Sequence, residues 1–195
     1  MKFSSTALSG LVIIEPKVFE DERGWFMESF NQRRFEEGLH NLGLPLPGPF
    51  VQDNQSCSKK GVLRGLHFQA APHAQGKLVR VVGGAAFDVV VDIRKDSATF
   101  LKWVGIELSS ANKKMLWIPE GFAHGFLALE EGTQFLYKTT AYYDKAAEEV
   151  LLWNDASIGV VWPAIETVIV SEKDRCAESV SDYFLRLSAQ KVGGV

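Results

Sequence analysis

Short apolar segments separated by turn residues fill the middle of the chain, and this pattern constrains the fold more than any other feature. The candidate strands are residues 78–82, 85–93, 102–108, 115–118, 124–129 and 134–140. Turn signals such as Glu120-Gly121 and Glu131-Gly132 separate them. A recurrence of about 8–12 residues per strand is typical of sandwiches and barrels. The sequence therefore predicts an all-β sandwich.

A glycine pair separates the first two of these segments. Gly83 and Gly84 lie between two runs rich in β-branched residues, and glycine adopts a positive φ without steric cost. Such a pair suits the tight turn of a β-hairpin. We therefore expect residues 78–82 and 85–93 to form a hairpin.

The N-terminal third has a different pattern from the middle. Residues 11–15 and 25–30 are predicted strands, with a turn at residues 21–24 between them. Asn31 is placed to cap a helix that runs to Leu39, because an asparagine side chain can accept a hydrogen bond from the first turn. One helix among strands is therefore expected here.

The C-terminal stretch predicts a second helical region. Within residues 172–190, Val180, Phe184 and Leu187 have the spacing of one helix face. We expect this face to pack against the outside of the sandwich.

Length and composition limit the class of protein. The chain has 195 residues, of which 46% are hydrophobic and 23% charged, close to the average of folded globular proteins. This excludes disordered and low-complexity classes and predicts a single domain over residues 1–195. The net charge of −3 gives no basic surplus for nucleic acid, although a few converging cations could still bind phosphate.

Cysteine use and the apolar runs indicate a compartment. Cys57 and Cys176 are too few for a disulfide framework, which favours a reducing environment. Residues 1–10 lack the pattern of a secretory signal, and runs such as residues 89–91 are far too short to span a bilayer. We expect a cytoplasmic protein without membrane or nucleic acid partners.

Two of the four histidines lie in strand-like motifs that could carry chemistry. His124 follows a turn and begins a strand, whereas His67 lies inside residues 62–69. Regular alternation in that segment would place Arg64, Leu66 and Phe68 on one face and Leu63, Gly65, His67 and Gln69 on the other. A β-bulge would change this assignment.

The ligand pattern around His67 argues against a metal site. Imidazole is a common metal ligand, and metal-binding cupins present two histidines as His-x-His. Here the second position is Gln69, which leaves the ligand set incomplete. We therefore expect no metal, although a metal-dependent cupin stays open as an alternative. Without a metal, an imidazole that titrates near neutrality is a natural general base.

Several long motifs resemble one family in the same order along the chain. They are residues 16–24 (PKVFEDERG), 51–54 (VQDN), 61–69 (GVLRGLHFQ), 74–80 (AQGKLVR), 87–94 (FDVVVDIR), 117–126 (WIPEGFAHGF) and 136–138 (LYK). From about Leu11 to Asp174 the chain resembles the dTDP-4-dehydrorhamnose 3,5-epimerases. The resemblance implies a cupin-like jelly roll with a few peripheral helices, a homodimer and no cofactor.

The resemblance also implies a substrate and a reaction. The substrate is dTDP-4-dehydro-6-deoxy-D-glucose, whose ketone at C4 acidifies the C–H bonds at C3 and C5. A base can remove either proton to give an enolate, and return of a proton from the opposite face inverts the centre. By family matching His67 is the base, Asp174 orients it, Tyr137 is the acid and Lys77 lies beside the ketone oxygen.

Matching to the family also assigns the substrate-binding residues. They are Arg23, Glu28, Gln52, Asn54, Arg64, His124, Glu148 and Lys173, together with Tyr143, which stacks on thymine. In the family, the strand near Arg23 and Glu28 can serve the site of the neighbouring subunit. This chain departs from the family at Gln55, where a histidine is common, and after Asp174, where the usual proline is missing.

Two other classes of function stay open at this point. One is a related enzyme that epimerises a single carbon or moves the ketone; Tyr137 favours the complete reaction, because loss of the opposite-face acid is the simplest way to lose a step. The other is a non-catalytic sugar nucleotide binding module. A binding module has no need for His67, Lys77 and Tyr137 together, so their joint presence favours turnover.

Overall fold

The apolar segments build two sheets that face each other across a shared core. The computed structural model describes residues 1–192. Its strands are β1 (Lys2–Ser5), β2 (Val12–Glu15), β3 (Val18–Asp21), β4 (Gly24–Met27), β5 (Gln52–Ser58), β6 (Val62–Gln69), β7 (Lys77–Gly83), β8 (Ala85–Asp92), β9 (Trp103–Ser109), β10 (Met115–Ile118), β11 (Phe122–Ala128), β12 (Thr133–Thr139), β13 (Glu148–Val150) and β14 (Ile169–Val170). The helices are α1 (Gln32–Asn41), α2 (Glu172–Arg175) and α3 (Val180–Val192).

The strand order is that of a jelly-roll sandwich. The first sheet runs β1-β2-β10-β7-β12-β5 and the second β13-β6-β11-β8-β9, and all of these neighbours are antiparallel. The short strand β14 pairs in parallel with β6, whereas β3 and β4 form a separate hairpin. The prediction of an all-β sandwich is confirmed.

Inward-facing apolar side chains of both sheets form the core. Val79 of β7 and Phe135 of β12 meet Val90 of β8 and Phe126 of β11 in one buried cluster. The rings of Phe126 and Phe135 stack with their centroids 4.3 Å apart. Burial of each such side chain stabilises the fold by about 1.5–3 kcal/mol. The core thus fixes the two sheets relative to each other.

The predicted hairpin at the glycine pair is wrong. β7 pairs with β10 and β12 in the first sheet, whereas β8 pairs with β11 and β9 in the second. Gly83 and Gly84 therefore carry the chain from one sheet to the other. Gly84 has a φ of +70°, and a Cβ there would lie 2.9 Å from the Thr133 hydroxyl. The local turn chemistry was right, but it does not determine which sheet each strand joins.

The N-terminal elements agree only in part with the sequence pattern. The helix begins as predicted, since the Asn31 side chain accepts a hydrogen bond from the Arg34 backbone N–H at 3.1 Å. The predicted strand at 25–30 is shorter and displaced, Gly24–Met27, and strand β1 was missed. β1 pairs with β2 at the sheet edge, and its segment carries too little apolar alternation to predict it.

The C-terminal helical region is two helices and not one. Residues 176–179 interrupt it because this segment pairs with residues near β13: the Leu152 N–H donates to the Glu178 carbonyl at 2.8 Å. The predicted face is confirmed, since Val180 and Phe184 pack with Leu66 on the outside of the second sheet. Among the described residues, every helix is too short or too polar to cross a membrane.

Candidate active site

A cavity of about 340 Å³ lies between the two sheets. β5, β7 and β12 of the first sheet, β6, β11 and β13 of the second, and the connections that follow β6 and β12 contribute its lining. The lining residues are Gln52, Asn54, Ser56, Arg64, His67, Phe68, Gln69, Gln75, Lys77, His124, Gly125, Phe126, Phe135, Tyr137, Tyr143 and Glu148. Nine of the thirteen residues predicted for the site are in this set.

A bulge in β6 brings two of these residues to the same side. Arg64 and His67 both line the cavity, although regular alternation predicts opposite faces. The pairing of β6 with β11 shifts register between His124 and Phe126, and Gly65 has a φ of +134°. A Cβ on Gly65 would lie 2.5 Å from the Cα of Gly125. The predicted alternation is therefore wrong here, and the bulge is the reason.

His67 is held by a carboxylate from the C-terminal region. Its Nε2 lies 2.5 Å from Oδ1 of Asp174 in α2, and the Asp174 backbone N–H donates to the Ser171 hydroxyl at 3.1 Å. Burial raises the pKa of Asp174, but hydrogen bonds from His67 and from the Gly65 N–H outweigh it, so this pKa lies below its ordinary value. The carboxylate stays ionised and orients the imidazole. With Nε2 committed to Asp174, Nδ1 is the nitrogen that can accept a proton.

Lys77 begins β7 and is half-buried beside His67. Its Nζ is 3.5 Å from the His67 carbonyl oxygen. Burial lowers the pKa of Lys77 to about 8, although the negative charges of Asp88 and Glu148 oppose this shift. An isolated lysine after a glycine would ordinarily be solvated. Because the cavity encloses Lys77 and its pKa is about 8, a small rise in pH above neutrality can neutralise its ammonium group.

Tyr137 faces the cavity from the other sheet. It belongs to β12 in the first sheet, whereas His67 belongs to β6 in the second. Burial raises the pKa of the Tyr137 phenol, an effect that the charge of Arg64 partly offsets. The phenol is therefore protonated at neutral pH and can donate a proton. A phenol and an imidazole thus line one cavity from different sheets.

A second histidine–aspartate pair lies next to the first. His124 and His67 are Cα partners across β11 and β6, and the His124 Nε2 is 2.8 Å from Oδ2 of Asp88. Asp88 is fully buried, and within residues 1–192 its Oδ1 has no hydrogen-bond partner. Sequence reasoning missed Asp88. The available signal was a charged residue inside the apolar run at residues 85–91.

At the mouth of the cavity, the Tyr143 phenol is hydrogen-bonded to an ion pair between Glu148 and Lys173. The Tyr143 phenol donates to Oε2 of Glu148 at 2.8 Å, and the same carboxylate pairs with the Lys173 ammonium. Burial raises the pKa of Glu148, but the hydrogen bonds from Lys173 and Tyr143 outweigh it and leave this pKa below its ordinary value. The Tyr143 residue is 50% exposed. One ring face is thus free to stack with a planar group.

Polar side chains of β5 and β6 complete the lining. The Gln52 amide donates to Oδ1 of Asn54 at 3.0 Å, and the Arg64 guanidinium donates to the Ser58 hydroxyl at 3.2 Å. Arg64 is the kind of group that binds a phosphate oxygen bidentately. This wall of the cavity is thus suited to an anionic, hydrogen-bonding ligand.

Arg23 and Glu28 are absent from this cavity within the described chain. Arg23 lies at the turn of the β3–β4 hairpin and pairs with Asp21 at 2.5 Å, whereas Glu28 is 3.5 Å from Arg34. Asp174 and Lys173 lie behind the lining and act on it through His67 and Glu148. Of the thirteen predicted site residues, only Arg23 and Glu28 neither line the cavity nor pair, among the described residues, with a residue that does.

The described residues contain no group of three histidine, cysteine, aspartate or glutamate side chains placed to hold a metal ion. At the position where metal-binding cupins carry the second histidine, Gln69 instead bonds to the backbone of Asp144. The donors around His67 therefore do not fit a metal centre.

Comparison with known proteins identifies the family. The model of the family dTDP-4-dehydrorhamnose 3,5-epimerase matches residues 5–182. The chain belongs to this family. It is similar to the dTDP-4-dehydrorhamnose 3,5-epimerases of Salmonella typhimurium, with 56% identity over 92% of this chain and 96% of the relative, and of Shigella flexneri, with 54% identity over 95% and 100%.

A solved structure shows the same fold with a sugar nucleotide. It is the dTDP-6-deoxy-D-glucose-3,5-epimerase of Legionella pneumophila in complex with dTDP-4-keto-L-rhamnose. It has 48% identity to this chain, covers 92% of this chain and 93% of its own, and superposes with a TM-score of 0.86. The cupin-like jelly roll that the resemblance implied for this epimerase is confirmed.

Proposed function

We propose that this chain converts dTDP-4-dehydro-6-deoxy-D-glucose to dTDP-4-dehydro-L-rhamnose by inverting C3 and C5, without a cofactor. Membership of the epimerase family and the sugar nucleotide in the Legionella pneumophila relative support this substrate. The observation that supports the mechanism is the position of His67 and Tyr137 on facing sheets of one cavity that also contains Lys77. A ring between them would have a base on one face and an acid on the other.

Each inversion then proceeds through an enolate. His67 takes the proton from C3 or C5 and becomes an imidazolium that the ionised Asp174 stabilises. The electron pair of the broken C–H bond moves toward O4, where the Lys77 ammonium stabilises the negative charge. Tyr137 gives its proton to the carbon from the opposite face, and the proton on His67 returns to the phenolate through solvent. Atoms and charge balance, and the sugar is an isomer of the starting sugar.

The remaining polar groups would bind the nucleotide. Arg64 and Lys173 are suited to the diphosphate, and Tyr143 to stacking on thymine. Gln52, Asn54, His124 and Glu148 supply donors and acceptors for the base and for sugar hydroxyls. In support of this, all of these groups line the cavity except Lys173, which pairs with Glu148 at its edge.

The proposal includes a homodimer in which the β3–β4 hairpin serves the neighbouring subunit. In this hairpin the residues Phe19, Trp25 and Phe26 are 53%, 56% and 70% exposed. Large apolar side chains that are exposed together are typical of an interaction surface. Cover from a second copy would bury them and would bring Arg23 and Glu28 to a partner's cavity.

Complementation tests this arrangement. Co-expression of the His67→Asn and Arg23→Ala variants should restore about a quarter of wild-type activity, because one cavity of each mixed dimer would have both residues intact. If both residues serve the same subunit, the mixture stays as inactive as the separate variants. Light scattering on the purified wild-type chain checks the dimer itself.

We place the enzyme in the cytoplasm, in a single domain over residues 1–195. The core cluster that both sheets share supports one domain. The two exposed, unpaired cysteines among the described residues fit a reducing compartment.

Hydrogen exchange tests the reaction. The chain is incubated with dTDP-4-dehydro-6-deoxy-D-glucose in deuterated water, and the product is analysed by NMR. We expect deuterium at both C3 and C5 and inversion of both centres. The His67→Asn variant serves as the matched control, and it should incorporate deuterium at neither carbon.

Other outcomes identify the alternatives. Exchange at one carbon only would indicate a single-carbon epimerase, and a carbonyl at C3 would indicate a ketoisomerase. Loss of turnover after treatment with a chelator would indicate a metal-dependent cupin. Binding without any exchange would reduce the chain to a sugar nucleotide binding module and contradict the proposal.

A further inference from the structure

The segment that carries Tyr143 is held by side chains and not by a strand ladder. Residues 141–144 follow β12 in irregular conformation. Three glutamines from different parts of the chain bond to its backbone: the Gln75 amide donates to the Ala141 carbonyl at 2.8 Å, Gln52 Oε1 accepts from the Tyr143 N–H at 3.0 Å, and Gln69 bonds to Asp144. The cavity mouth thus depends on these amides for its shape.

Gln69 makes the most complete of these contacts. Its amide donates to the Asp144 carbonyl at 3.0 Å, and its Oε1 accepts from the Asp144 N–H at 2.9 Å. The two bonds have the same donor and acceptor arrangement as a β-bridge between two backbones. Gln69 is only 7% exposed. Gln69 comes two residues after His67 in β6, so the strand that carries the base also holds this segment.

We propose that Gln69 is a positioning residue that fixes the Tyr143 ring for the nucleotide base by holding the backbone of Asp144. This inference rests on the proposed stacking of Tyr143 on thymine. With Asp144 held by Gln69, the Tyr143 N–H held by Gln52 and the Tyr143 phenol held by Glu148, the ring is attached at three points. A ring that is already ordered loses less conformational entropy when a ligand binds.

The amide is the side chain that this contact needs. Asp144 presents one donor and one acceptor, and only a side chain with both functions can satisfy them together. A carboxylate would accept from the N–H but would repel the carbonyl. A protonated carboxyl group would again donate and accept, so its effect on binding would depend on pH.

Calorimetry with dTDP tests the proposal, because dTDP contains the base and the diphosphate but no reacting sugar. We expect Gln69→Ala and Tyr143→Ala each to raise the Kd for dTDP by about 10-fold, in the range of base–aromatic stacking. In the Tyr143→Ala background, Gln69→Ala should raise the Kd by less than about 2-fold, since Gln69 then has no ring to position. Saturating substrate should keep kcat of Gln69→Ala within about 3-fold of wild type.

Two further variants separate positioning from general damage. Gln32→Ala removes an exposed glutamine that bonds to Glu36 on α1, and it should leave the Kd unchanged. Burial beside the Asp144 carbonyl should raise the pKa of the new carboxyl group in Gln69→Glu. This variant should therefore bind dTDP poorly at about pH 8 and recover toward the wild-type Kd at about pH 5.5, relative to wild type at each pH. Gln69→Ala should show no such recovery.

The outcomes distinguish this inference from the proposed function. If Tyr143→Ala binds dTDP as tightly as wild type, the proposed stacking is wrong and the inference fails with it. If Tyr143→Ala weakens binding but Gln69→Ala does not, only the inference is wrong. Fully additive effects of the two substitutions would also overturn it, because Gln69 would then act independently of the ring.

Discussion

Two neighbouring histidines of the second sheet are each paired with an aspartate, and the two imidazoles differ in their exposure to the cavity. His67 and His124 are Cα partners, with their Nε2 atoms 2.5 Å from Asp174 and 2.8 Å from Asp88. The His67 side chain is 31% exposed, whereas that of His124 is 9% exposed. Since a base must reach the proton it removes, the greater exposure of His67 favours it over His124 for the proposed proton transfer.

The carboxylates of the two pairs differ as well. Asp174 comes from a separate helix, and the hydrogen bond from His67 holds its pKa below the ordinary value despite burial. Asp88 is part of the same sheet as its histidine, and in the described chain its second oxygen lacks a hydrogen-bond partner. The comparison teaches that a histidine–aspartate contact does not by itself identify a base. The two pairs differ in the exposure of the imidazole and in the hydrogen-bond partners of the carboxylate.

The largest effect should come from the exposed imidazole. We expect His67→Asn to lower kcat about 10³- to 10⁴-fold, since a positioned general base contributes up to this amount. His124→Asn is the matched substitution in the buried pair and should lower kcat only about 10-fold. Deuterium exchange at C3 and C5, followed by NMR, measures both. Similar losses in the two variants would break the distinction between the pairs.

Removal of the charge behind the base should have the next largest effect. Asp174→Asn keeps the shape of the side chain but cannot stabilise an imidazolium, and we expect kcat to fall about 10³-fold. Asp155→Asn is a suitable control, because Asp155 is a buried carboxylate that accepts from the Val180 N–H at 2.7 Å, outside the cavity. It should lower Tm and leave kcat unchanged. Unaltered turnover in Asp174→Asn would show that orientation by this carboxylate is not needed.

The smallest effect should come from Lys77, and it should include a change in the pH dependence of kcat/KM. A lysine is charged below its pKa, and burial lowers the pKa of Lys77 to about 8, so kcat/KM should fall as pH rises through this value. The raised pKa of Tyr137 keeps the phenol protonated across the same range. Lys77→Ala should lose about 10²-fold in activity and should lack this alkaline decline. A decline that persists in Lys77→Ala would assign it to another group.

The sequence predicted the sandwich, the helix cap at Asn31 and the outward face of Val180 because each depends on local pattern. It failed at Gly83-Gly84, since a turn signal does not specify whether the next strand joins the same sheet. It also failed in the order of faces along β6, because a bulge depends on the close approach of β11.

The candidate site, like the fold, could be predicted only in part. The resemblance placed His67, Lys77 and Tyr137 in one site, and the structure brings all three to one cavity. From single residues alone, Lys77 would have been placed in solvent and Tyr137 in the core. Asp88 and the contact between Gln69 and Asp144 require knowledge of which strands and segments are neighbours, which one sequence does not supply.

The bulge at Gly65 has a consequence for evolution of the site. It sets the spacing between the guanidinium of Arg64, which we propose binds phosphate, and the imidazole of His67 through the backbone, where Gly65 and Gly125 nearly touch. Exchange of side chains can alter which sugar is held or how strongly. A ligand with a longer or shorter link between its nucleotide and its reacting carbon would instead require an insertion or deletion in the strand itself.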